Sequence, residues 1–463
     1  MRAPGLLLLA ALALAAGPVP ADEPPRPNIV YFLIDDMGWN DVGYHGSEIR
    51  TPNIDRLAAE GVRLEQFYAL PVCTPTRAAL LTGRYPIRHG LQSGVIFPTS
   101  DYGLPLDERT LPAALKEVGY RTAMAGKWHL GHCEEAYQPQ RRGFDTAYGC
   151  FGGEIDYYEH TGRKSGADWY RDGKPVSEEG YSTDLLTREA IRVVEQHDPS
   201  EPLFLYVPFN ATHSPLAVEE KWLEPYSGIQ NRDRKLKAGV TACVDAAIGR
   251  ILAALEKRGM SGNTLILFSS DNGGPEGRDG GGRGGGAQPT GGGADNGPLR
   301  GGKATLYEGG VRVPAVAVWK GKLAPGTVVN EVLHMVDWYP TILELAGAPL
   351  AQPLPLDGRD IWPVLAEGEP TPHEELLLNV ESKGGALRRG DWKIVVRGSV
   401  RGENLEVELF NLAKDPGEST DLSQQEPEKV EELLGRLRWW QEQSVPPKNQ
   451  GANGKGPGRR NGR

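Results

Sequence analysis

The 463-residue chain has few cysteines and more acidic than basic side chains. Its four cysteines, at positions 73, 133, 150 and 243, are too few for a disulfide framework and lack the C-x-x-C spacing of a zinc site. A Cys133–Cys150 disulfide and two free thiols both agree with the sequence, whereas Cys243 lies in an apolar helical stretch that predicts a buried thiol. The formal net charge of −10 argues against a nucleic-acid-binding protein, for which a basic face would be expected.

Long apolar runs are also scarce. Residues 1–21 combine a basic start, a short apolar run and small residues at the end, which is typical of a secretory signal peptide cleaved after Ala21. No later segment is predicted to provide the roughly 20 apolar residues of a membrane-spanning helix. We therefore expect a protein without a stable membrane span that is secreted or periplasmic once the signal peptide is removed.

Short apolar runs alternate with helical segments in much of the remaining chain. This alternation indicates a largely parallel sheet with helices on both faces. One intervening helix is marked by Thr51 as its N-cap, Pro52 in its first turn and Gly61 at its end. The runs that predict strands are residues 28–36, 121–128, 202–209, 264–272 and 313–319.

The pattern changes after about residue 370. Polar strand-like pieces, including DWKIVVRG and NLEVELFNL, precede an amphipathic segment, so we predict a small antiparallel sheet with a helix packed on it. Residues 446–463 are basic and have no apolar content to bury, which is typical of a disordered tail. The apolar face of the amphipathic helix is predicted to comprise Val430, Leu433, Leu434, Leu437 and Trp440.

Acidic and amide side chains lie at the ends of two of the predicted strands. Asp35 and Asp36 are the last two residues of the first run, and Asp271 and Asn272 are the last two of the fourth. Ligands of open α/β sheets bind beyond the carboxyl ends of the strands, so we expect these side chains to meet there. Three carboxylates and an amide form an all-oxygen set suited to Ca²⁺ or Mg²⁺ rather than zinc. For either pair alone, solvated loop caps are an equally good interpretation.

Basic side chains occur at the ends of other strands and in one loop. Lys127 and His129 end the second run, His213 follows the third, and Lys303 lies in a glycine-rich loop. Each alone is typical of a structural histidine or a solvated lysine, but together they could neutralise an anionic substrate and move protons. The glycine spacing before Lys303 imitates a P-loop, yet Ala304 stands where the magnesium-binding hydroxyl should be, so we exclude a nucleotide site.

Cys73 lies in the segment CTPTRAALLTGRYP, at the start of a predicted helix. Backbone N–H groups and the positive end of the helix dipole would stabilise negative charge on a group at this position. Arg77 lies one helical turn further on, so its guanidinium could hold a side-chain group at position 73. A Cys–His hydrolase is an alternative, but no protease signature surrounds Cys73.

The segment CTPTRAALLTGRYP resembles the signature of the type I sulfatases, C-x-P-x-R followed by L-T-G-R. NIVYFLIDDMGWNDVGYHG, GKWHLG, SSDNGG and LRGGKATLYEGGVRVP resemble other blocks of that family in the same order. The resemblance implies an alkaline-phosphatase-like α/β fold with a small C-terminal antiparallel sheet and helix. The domains it predicts are a signal peptide at 1–21, a catalytic domain at 22–369, a C-terminal subdomain at 370–445 and the basic tail at 446–463.

The resemblance also implies the chemistry of the site. Cys73 would be oxidised to formylglycine by a formylglycine-generating enzyme, and one oxygen of the hydrated aldehyde would attack sulfur while the other would later expel the sulfate. Arg77 would hold the hydrate, and His129 would be the base of the last step. One Ca²⁺ ion would be bound by Asp35, Asp36, Asp271, Asn272 and modified Cys73. Sulfate would be bound by Lys127, His213 and Lys303, and either His213 or Lys303 would protonate the leaving alcohol.

A narrower resemblance, to the arylsulfatase B type of N-acetylgalactosamine 4-sulfatase, concerns the substrate. It lies in YALPVCTPTRAALLTGRYPIRHGLQ and in GEIDYYEH, and it predicts exo removal of a 4-sulfate from a chondroitin or dermatan chain, a step of glycosaminoglycan degradation. Tyr157, Tyr158, Glu159 and His160 could bind the sugar or pack under a loop. The chain departs from that pattern in the glycine-rich segment 273–293, which we expect to be mobile and which borders Asn272.

Two other functions agree with this fold. The first is a phosphomonoester or phosphonate-ester hydrolase, because phosphate and sulfate esters are similar in shape. The second is an inactive glycan-binding module, which would tolerate the loss of basic site residues. Because all of those residues are present, the sequence favours an active sulfatase.

Overall fold

The computed structural model describes residues 26–162, 165–276, 292–402 and 405–449. The predicted signal peptide, most of the glycine-rich segment and nearly all of the basic tail lie outside these ranges, so the predictions made for them stay predictions. Within the described ranges all four cysteines are free thiols, of which Cys133 is exposed and Cys150 is buried. Cys243 is buried, as predicted.

The strands of the described chain form one large and two small sheets. They are β1 (Asn28–Ile34), β2 (Val62–Tyr68), β3 (Arg121–Ala125), β4 (Thr146–Gly149), β5 (Thr161–Gly162), β6 (Gly166–Ala167), β7 (Tyr170–Arg171), β8 (Lys174–Pro175), β9 (Leu203–Pro208), β10 (Thr264–Ser270), β11 (Ala315–Val318), β12 (Thr327–His334), β13 (Glu375–Glu381), β14 (Gly384–Arg389), β15 (Trp392–Arg397) and β16 (Glu406–Asn411).

The α-helices lie between these strands or after them. They are α1 (Pro52–Glu60), α2 (Cys73–Thr82), α3 (Leu111–Glu117), α4 (Ser182–Gln196), α5 (Arg232–Lys257), α6 (Glu308–Val311), α7 (Trp338–Leu345), α8 (Trp362–Glu367) and α9 (Pro427–Glu442).

The large sheet has the strand order β12-β2-β11-β10-β1-β9-β3-β4-β7-β8. Its centre, β10-β1-β9-β3-β4, is parallel throughout, which confirms the predicted mostly parallel sheet. Alternate side chains of β1 pack into two separate cores, one on each face of the sheet. Ile29, Tyr31 and Leu33 belong to the first core, and Val30 and Phe32 belong to the second. Helices α2, α3, α7 and α8 cover the first face, and α1, α4 and α5 cover the second.

Two local features differ from the predictions. β11, the strand of the fifth apolar run, is antiparallel to both of its neighbours. α1 begins after Thr51 as expected, but the Thr51 side chain makes no capping hydrogen bond. Asp245 of α5 accepts hydrogen bonds from the first-turn N–H groups of Asn53 and Ile54 instead.

Helix α5 is, among the described residues, the one helix long and apolar enough to cross a membrane by length and composition. This differs from the prediction that no segment after the signal peptide would be long and apolar enough to span a membrane. However, 72% of its most apolar window is buried inside the protein. Burial of this extent is typical of a core helix of a globular protein.

The C-terminal part forms the predicted antiparallel sheet, in the order β13-β14-β15-β16, with α9 packed on it. The expected apolar face of α9 is confirmed, since four of its five residues are buried and Val430 is partly buried in the same core. This core includes residues from much earlier in the chain, such as Ala79 of α2 and Tyr85. The small sheet is therefore packed against the helix that begins at Cys73.

A buried ion cluster joins the small sheet to the large one. Lys393 Nζ of β15 lies 2.9 Å from Glu308 Oε1 at the start of α6 and 2.8 Å from Glu418 Oε1. Tyr68 of β2 donates a hydrogen bond to the second oxygen of Glu308 at 2.7 Å. Burial raises the pKa of Glu418 to about 7. The charge of Lys393 lowers this pKa, but the charge of Glu308 raises it further. Lys393 and Arg312, whose Nη1 lies 3.7 Å from Glu308 Oε2, thus neutralise Glu308, and Glu418 holds its proton to near neutral pH.

We expect this cluster to make stability depend on pH. Unfolded Glu418 would lose its proton near pH 4.3, whereas folded Glu418 keeps it up to about pH 7, so the free energy of unfolding should fall as pH rises through this window. Glu418→Gln removes this titration. Its stability relative to the wild type should therefore increase by about 1–3 kcal/mol between about pH 5 and about pH 8.

The measurement is the urea unfolding midpoint of both proteins at the two pH values. Glu431→Gln makes the same change of charge at an exposed site on α9 and should show no pH-dependent difference from the wild type. Equal differences at both pH values for Glu418→Gln would contradict the shared-cation interpretation.

Candidate active site

Neighbouring parallel strands place the predicted site residues at one edge of the large sheet. β1 pairs with β10 on one side and with β9 on the other, and β3 pairs with β9. The residues directly after β1 and β10 are Asp35, Asp36, Asp271 and Asn272. The other predicted site residues lie at the start of α2, in the loops after β3 and β9, and in the loop before α6. They are Cys73, Arg77, Lys127, His129, His213 and Lys303.

The acidic and amide side chains form a buried cluster. The main-chain N–H of Asp36 donates to Asp271 Oδ1 at 3.2 Å, and Asn272 Nδ2 donates to Asp36 Oδ1 at 2.8 Å. Asp36 has a left-handed φ of 63°, which aspartate tolerates better than most residues and which turns the chain after β1. Asn272 Oδ1 is buried and has no hydrogen-bond partner within the described chain. Such an oxygen beside three carboxylates fits a hard cation.

The spacing of the donor atoms also fits one ion. Ligand atoms of Asp35, Asp36, Cys73 and His213 all lie within 4.8 Å of one another. Ca²⁺ binds its oxygens at about 2.3–2.6 Å, so ligands up to about 5 Å apart can share a single ion. Asp35, Asp36 and the group at position 73 could therefore hold one metal ion, and the nitrogen of His213, which was not among the predicted ligands, lies within the same spacing.

Two lysines lie against the first acidic pair. Lys127 Nζ is 2.5 Å from Asp35 Oδ2, and Lys303 Nζ is 2.7 Å from Asp36 Oδ1. Burial alone would raise the pKa of Asp35, but Lys127 and neighbouring cations hold it well below its usual range. Burial acts in the same direction on Asp36, whose pKa Lys303 and His213 lower. Both carboxylates are therefore ionised, and both lysines are cationic.

Arg77 was expected to hold the group at position 73. In the structure its guanidinium donates hydrogen bonds to Asp271. Its Nε and Nη2 donate to Asp271 Oδ2 at 3.1 and 2.8 Å, and its Nη1 donates to the carbonyl of Lys127 at 2.8 Å. These hydrogen bonds fix Asp271 and the loop after β3 instead of reaching the Cys73 side chain. Burial, and then the charge of Asp35, raise the pKa of Asp271 to about 6 despite this contact.

Cys73 is the first residue of α2 and is buried. Its Sγ donates to Asp35 Oδ1 at 3.3 Å. Burial, together with the charges of Asp271 and Asp35, raises the pKa of the thiol well above its usual value. A thiolate nucleophile is therefore disfavoured here, which argues against the Cys–His hydrolase. An uncharged group such as an aldehyde or its hydrate fits the position better.

The two predicted site histidines are both neutral at ordinary pH. Burial, and then Lys127, lower the pKa of His129, whose Nε2 lies 3.0 Å from the carbonyl of Ile96 and whose Nδ1 has no partner among the described residues. His213 is 17% exposed, and its Nε2 lies 3.6 Å from Asp36 Oδ2. Burial, and then Lys303, lower its pKa. A neutral imidazole with an unpartnered nitrogen can accept a proton.

Lys237 of α5 also contacts the site, although it was not among the predicted site residues. This lysine is fully buried, and its Nζ donates to the main-chain carbonyl of Asp36 at 2.5 Å. A usable signal was present, because Lys237 shares the buried face of α5 with Val240 and Val244, at helical spacings of three and seven. A lysine on the apolar face of a core helix indicates a specific polar partner.

The possible sugar-binding segment divides into buried and exposed residues. Tyr157 is buried, and its hydroxyl donates to the carbonyl of His213 at 2.8 Å, so it holds the main chain of His213 in place. His160 is buried and stacks on Trp169 at 4.5 Å between ring centroids. Tyr158 and Glu159 are exposed. Only these two could contact a ligand from this segment.

Comparisons with known proteins agree with one another. The sequence profile of the family described as Sulfatase matches residues 27–348. Arylsulfatase J of Mus musculus is 38% identical over 472 residues, which cover 91% of this chain and 77% of that protein. N-acetylgalactosamine-6-sulfatase of Mus musculus is 38% identical over 385 residues, 79% of this chain and 70% of that protein. The crystal structure of Ps i-CgsB in complex with k-i-k-neocarrahexaose has a TM-score of 0.81 and 32% identity, over 91% of this chain and 94% of that chain.

Gly153 provides a test of the role of His129. A Cβ atom at Gly153 would lie 2.4 Å from His129 Cε1 and 2.5 Å from Nε2, so Gly153→Ala must displace the ring. A displacement of about 1 Å can lower turnover about 100-fold, and we expect a loss of kcat of this size for a sulfate ester. In Gly262→Ala the added Cβ meets nothing within 4 Å, so this control should keep the wild-type kcat. Wild-type kcat in Gly153→Ala would show that the position of His129 does not matter for turnover.

Proposed function

Because the chain belongs to the sulfatase family, and is thus a sulfuric ester hydrolase, we propose that it removes sulfate from a sulfated glycan, specifically the 4-sulfate of a terminal N-acetylgalactosamine. Its mostly parallel sheet and small antiparallel sheet form the alkaline-phosphatase-like fold of the family. The observation that carries the proposal is the buried edge of the large sheet, where carboxylates, lysines and Cys73 meet within hydrogen-bonding distance.

Two groups that the chain itself does not encode would complete the site. A Ca²⁺ ion bound by Asp35, Asp36, Asp271, Asn272 and residue 73 would polarise the sulfate and orient the nucleophile. A formylglycine made from Cys73 by a formylglycine-generating enzyme would supply a hydrated aldehyde as that nucleophile. The raised pKa of the unmodified thiol supports the second assignment, because the thiol would be a poor nucleophile without it.

The remaining residues would bind the sulfate group and transfer protons. Lys127 and Lys303 would bind sulfate oxygens, since both are cations at the end of the sheet. His213 would bind the sulfate with them, and either Lys303 as it stands or His213 after taking up a proton would protonate the leaving alcohol. His129, held neutral by its surroundings, would accept a proton from the group at residue 73. Arg77 would keep Asp271 and Lys127 in place through the hydrogen bonds described above.

The other two functions have less support. An inactive glycan-binding module does not need a complete set of buried cations, and such a set is costly to retain. A phosphoester hydrolase would use a similar site, so a phosphate monoester belongs in the assay. Export fits a scavenging or degradative role, and we infer it from the signal-like residues 1–21.

The sugar is the most specific part of the proposal. The relative N-acetylgalactosamine-6-sulfatase supports N-acetylgalactosamine as the sugar and makes the 6-sulfate the main competitor. The segments around Cys73 and Tyr158 that resemble the 4-sulfatases support the 4-sulfate. Tyr158, 40% exposed, is available as an apolar face for the sugar ring.

The test is a comparison of kcat/KM for 4-sulfated and 6-sulfated N-acetylgalactosamine, an aryl sulfate and an aryl phosphate. We expect the 4-sulfated sugar to exceed the 6-sulfated one by at least about tenfold, which corresponds to about 1.4 kcal/mol of transition-state binding. Equal rates on both sugars, or a preference for the 6-sulfate, would contradict the 4-sulfate assignment. A preference for the phosphate would contradict the sulfatase activity itself.

A further inference from the structure

Lys237 joins the two loops that carry Asp36 and His213. Its Nζ donates to the carbonyl of Asp36 at 2.5 Å and to the carbonyl of Thr212 at 3.3 Å. Asp36 is the second residue after β1, and Thr212 directly precedes His213 in the loop after β9. A single ammonium group on α5 therefore contacts the main chain on both sides of the candidate metal cluster.

The two loops are also paired with each other. The N–H of Asp35 donates to the carbonyl of Ala211 at 3.0 Å, and the N–H of Thr212 donates to the carbonyl of Asp35 at 2.7 Å. Lys237 closes this pairing at the point where the backbone of Asp36 turns into its left-handed conformation. The Asp36 carboxylate then points to Asn272 and Lys303. The direction of that carboxylate thus depends on a carbonyl that Lys237 holds.

The position of Lys237 within the fold makes it a rigid support. It is fully buried, and its helix neighbours Ala238 and Val240 are fully buried as well. Among the described residues no carboxylate oxygen lies within 4.0 Å of its Nζ, so its hydrogen bonds go to uncharged carbonyls. Burying an ammonium group without a paired carboxylate is unfavourable, and an apolar residue of similar size would usually be tolerated at least as well. Stability alone does not account for a lysine at this position.

We propose that Lys237 is a positioning residue that holds Asp36 in the geometry required to bind Ca²⁺. The inference rests on the calcium site of the proposed function. Residues that orient metal ligands without touching the metal typically change metal affinity by about 10–100-fold when they are replaced. Lys237 also acts on the loop of His213, but its direct contact with the Asp36 carbonyl makes the metal site the part most sensitive to its loss.

A positional role and a purely electrostatic one predict opposite results. If Lys237 acted only through its charge, its removal would relieve repulsion of the cation, and Ca²⁺ would bind more tightly. If it holds Asp36 in place, its removal lets the carboxylate move, and Ca²⁺ binds more weakly. The sign of the change in Kd therefore separates the two roles.

The experiment is calorimetric titration of Ca²⁺ into the full-length, chelator-treated protein and its variants. We expect Lys237→Met to raise the Kd for Ca²⁺ at least about tenfold. Lys237→Gln keeps an N–H donor on a shorter side chain, and its Kd should be raised by less. Lys235→Met, two residues earlier on α5, removes the same charge outside the buried face and should leave the Kd unchanged.

An unchanged or lower Kd in both Lys237 variants would overturn the proposal. If Lys237→Met did not fold, the Lys237→Gln variant would decide the question by the same criterion. A wild-type protein that bound no Ca²⁺ would contradict the calcium site of the proposed function, and this inference with it. Normal wild-type binding with unaffected variants would remove only the role of Lys237.

Discussion

The burial of three carboxylates at one edge of the large sheet is the constraint on which the site depends. Asp35, Asp36 and Asp271 are all buried, and buried carboxylates stay ionised only beside cations or hydrogen-bond donors. The nearby donors come from separate elements: α2, the loop after β3, the loop before α6 and α5. The charge balance of the site therefore requires the assembled domain. Removing any one of these cations would leave a buried carboxylate or carbonyl without its partner.

The same charges restrict the chemistry possible at residue 73. A thiol surrounded by buried carboxylates is held protonated, so the lysines at the sheet edge do not activate it as they would activate a cysteine nucleophile. A neutral aldehyde hydrate is not subject to this restriction, and the start of α2 favours negative charge that develops on its oxygen. His129 lies between the Ile96 carbonyl and Gly153, and as a neutral imidazole it would take up a proton in the proposed reaction. Under the proposed function, Lys127 and Lys303 would bind the anionic substrate in addition to pairing with Asp35 and Asp36.

Much of the fold and of the site's membership could be predicted from the sequence, because both depend on local patterns. The apolar runs indicated the strands of the sheet centre, and the polar residues directly after them lie at one edge. The antiparallel direction of β11 could not be predicted, since an apolar run does not record strand direction. Partners distant in the chain were also missed: Arg77 binds Asp271, and Asp245 rather than Thr51 caps α1. These contacts depend on tertiary packing, which sequence spacing does not encode.

The reaction proposed for this buried site uses a modified Cys73, and not a thiol, as its nucleophile. Peptide mass spectrometry of residue 73, combined with kcat on a sulfate ester, tests it most directly in preparations made with different amounts of a formylglycine-generating enzyme. We expect kcat to rise in proportion to the fraction of residue 73 found as aldehyde or hydrate, and protein containing only the thiol to have no measurable turnover. Full activity in protein whose Cys73 is entirely unmodified would contradict it.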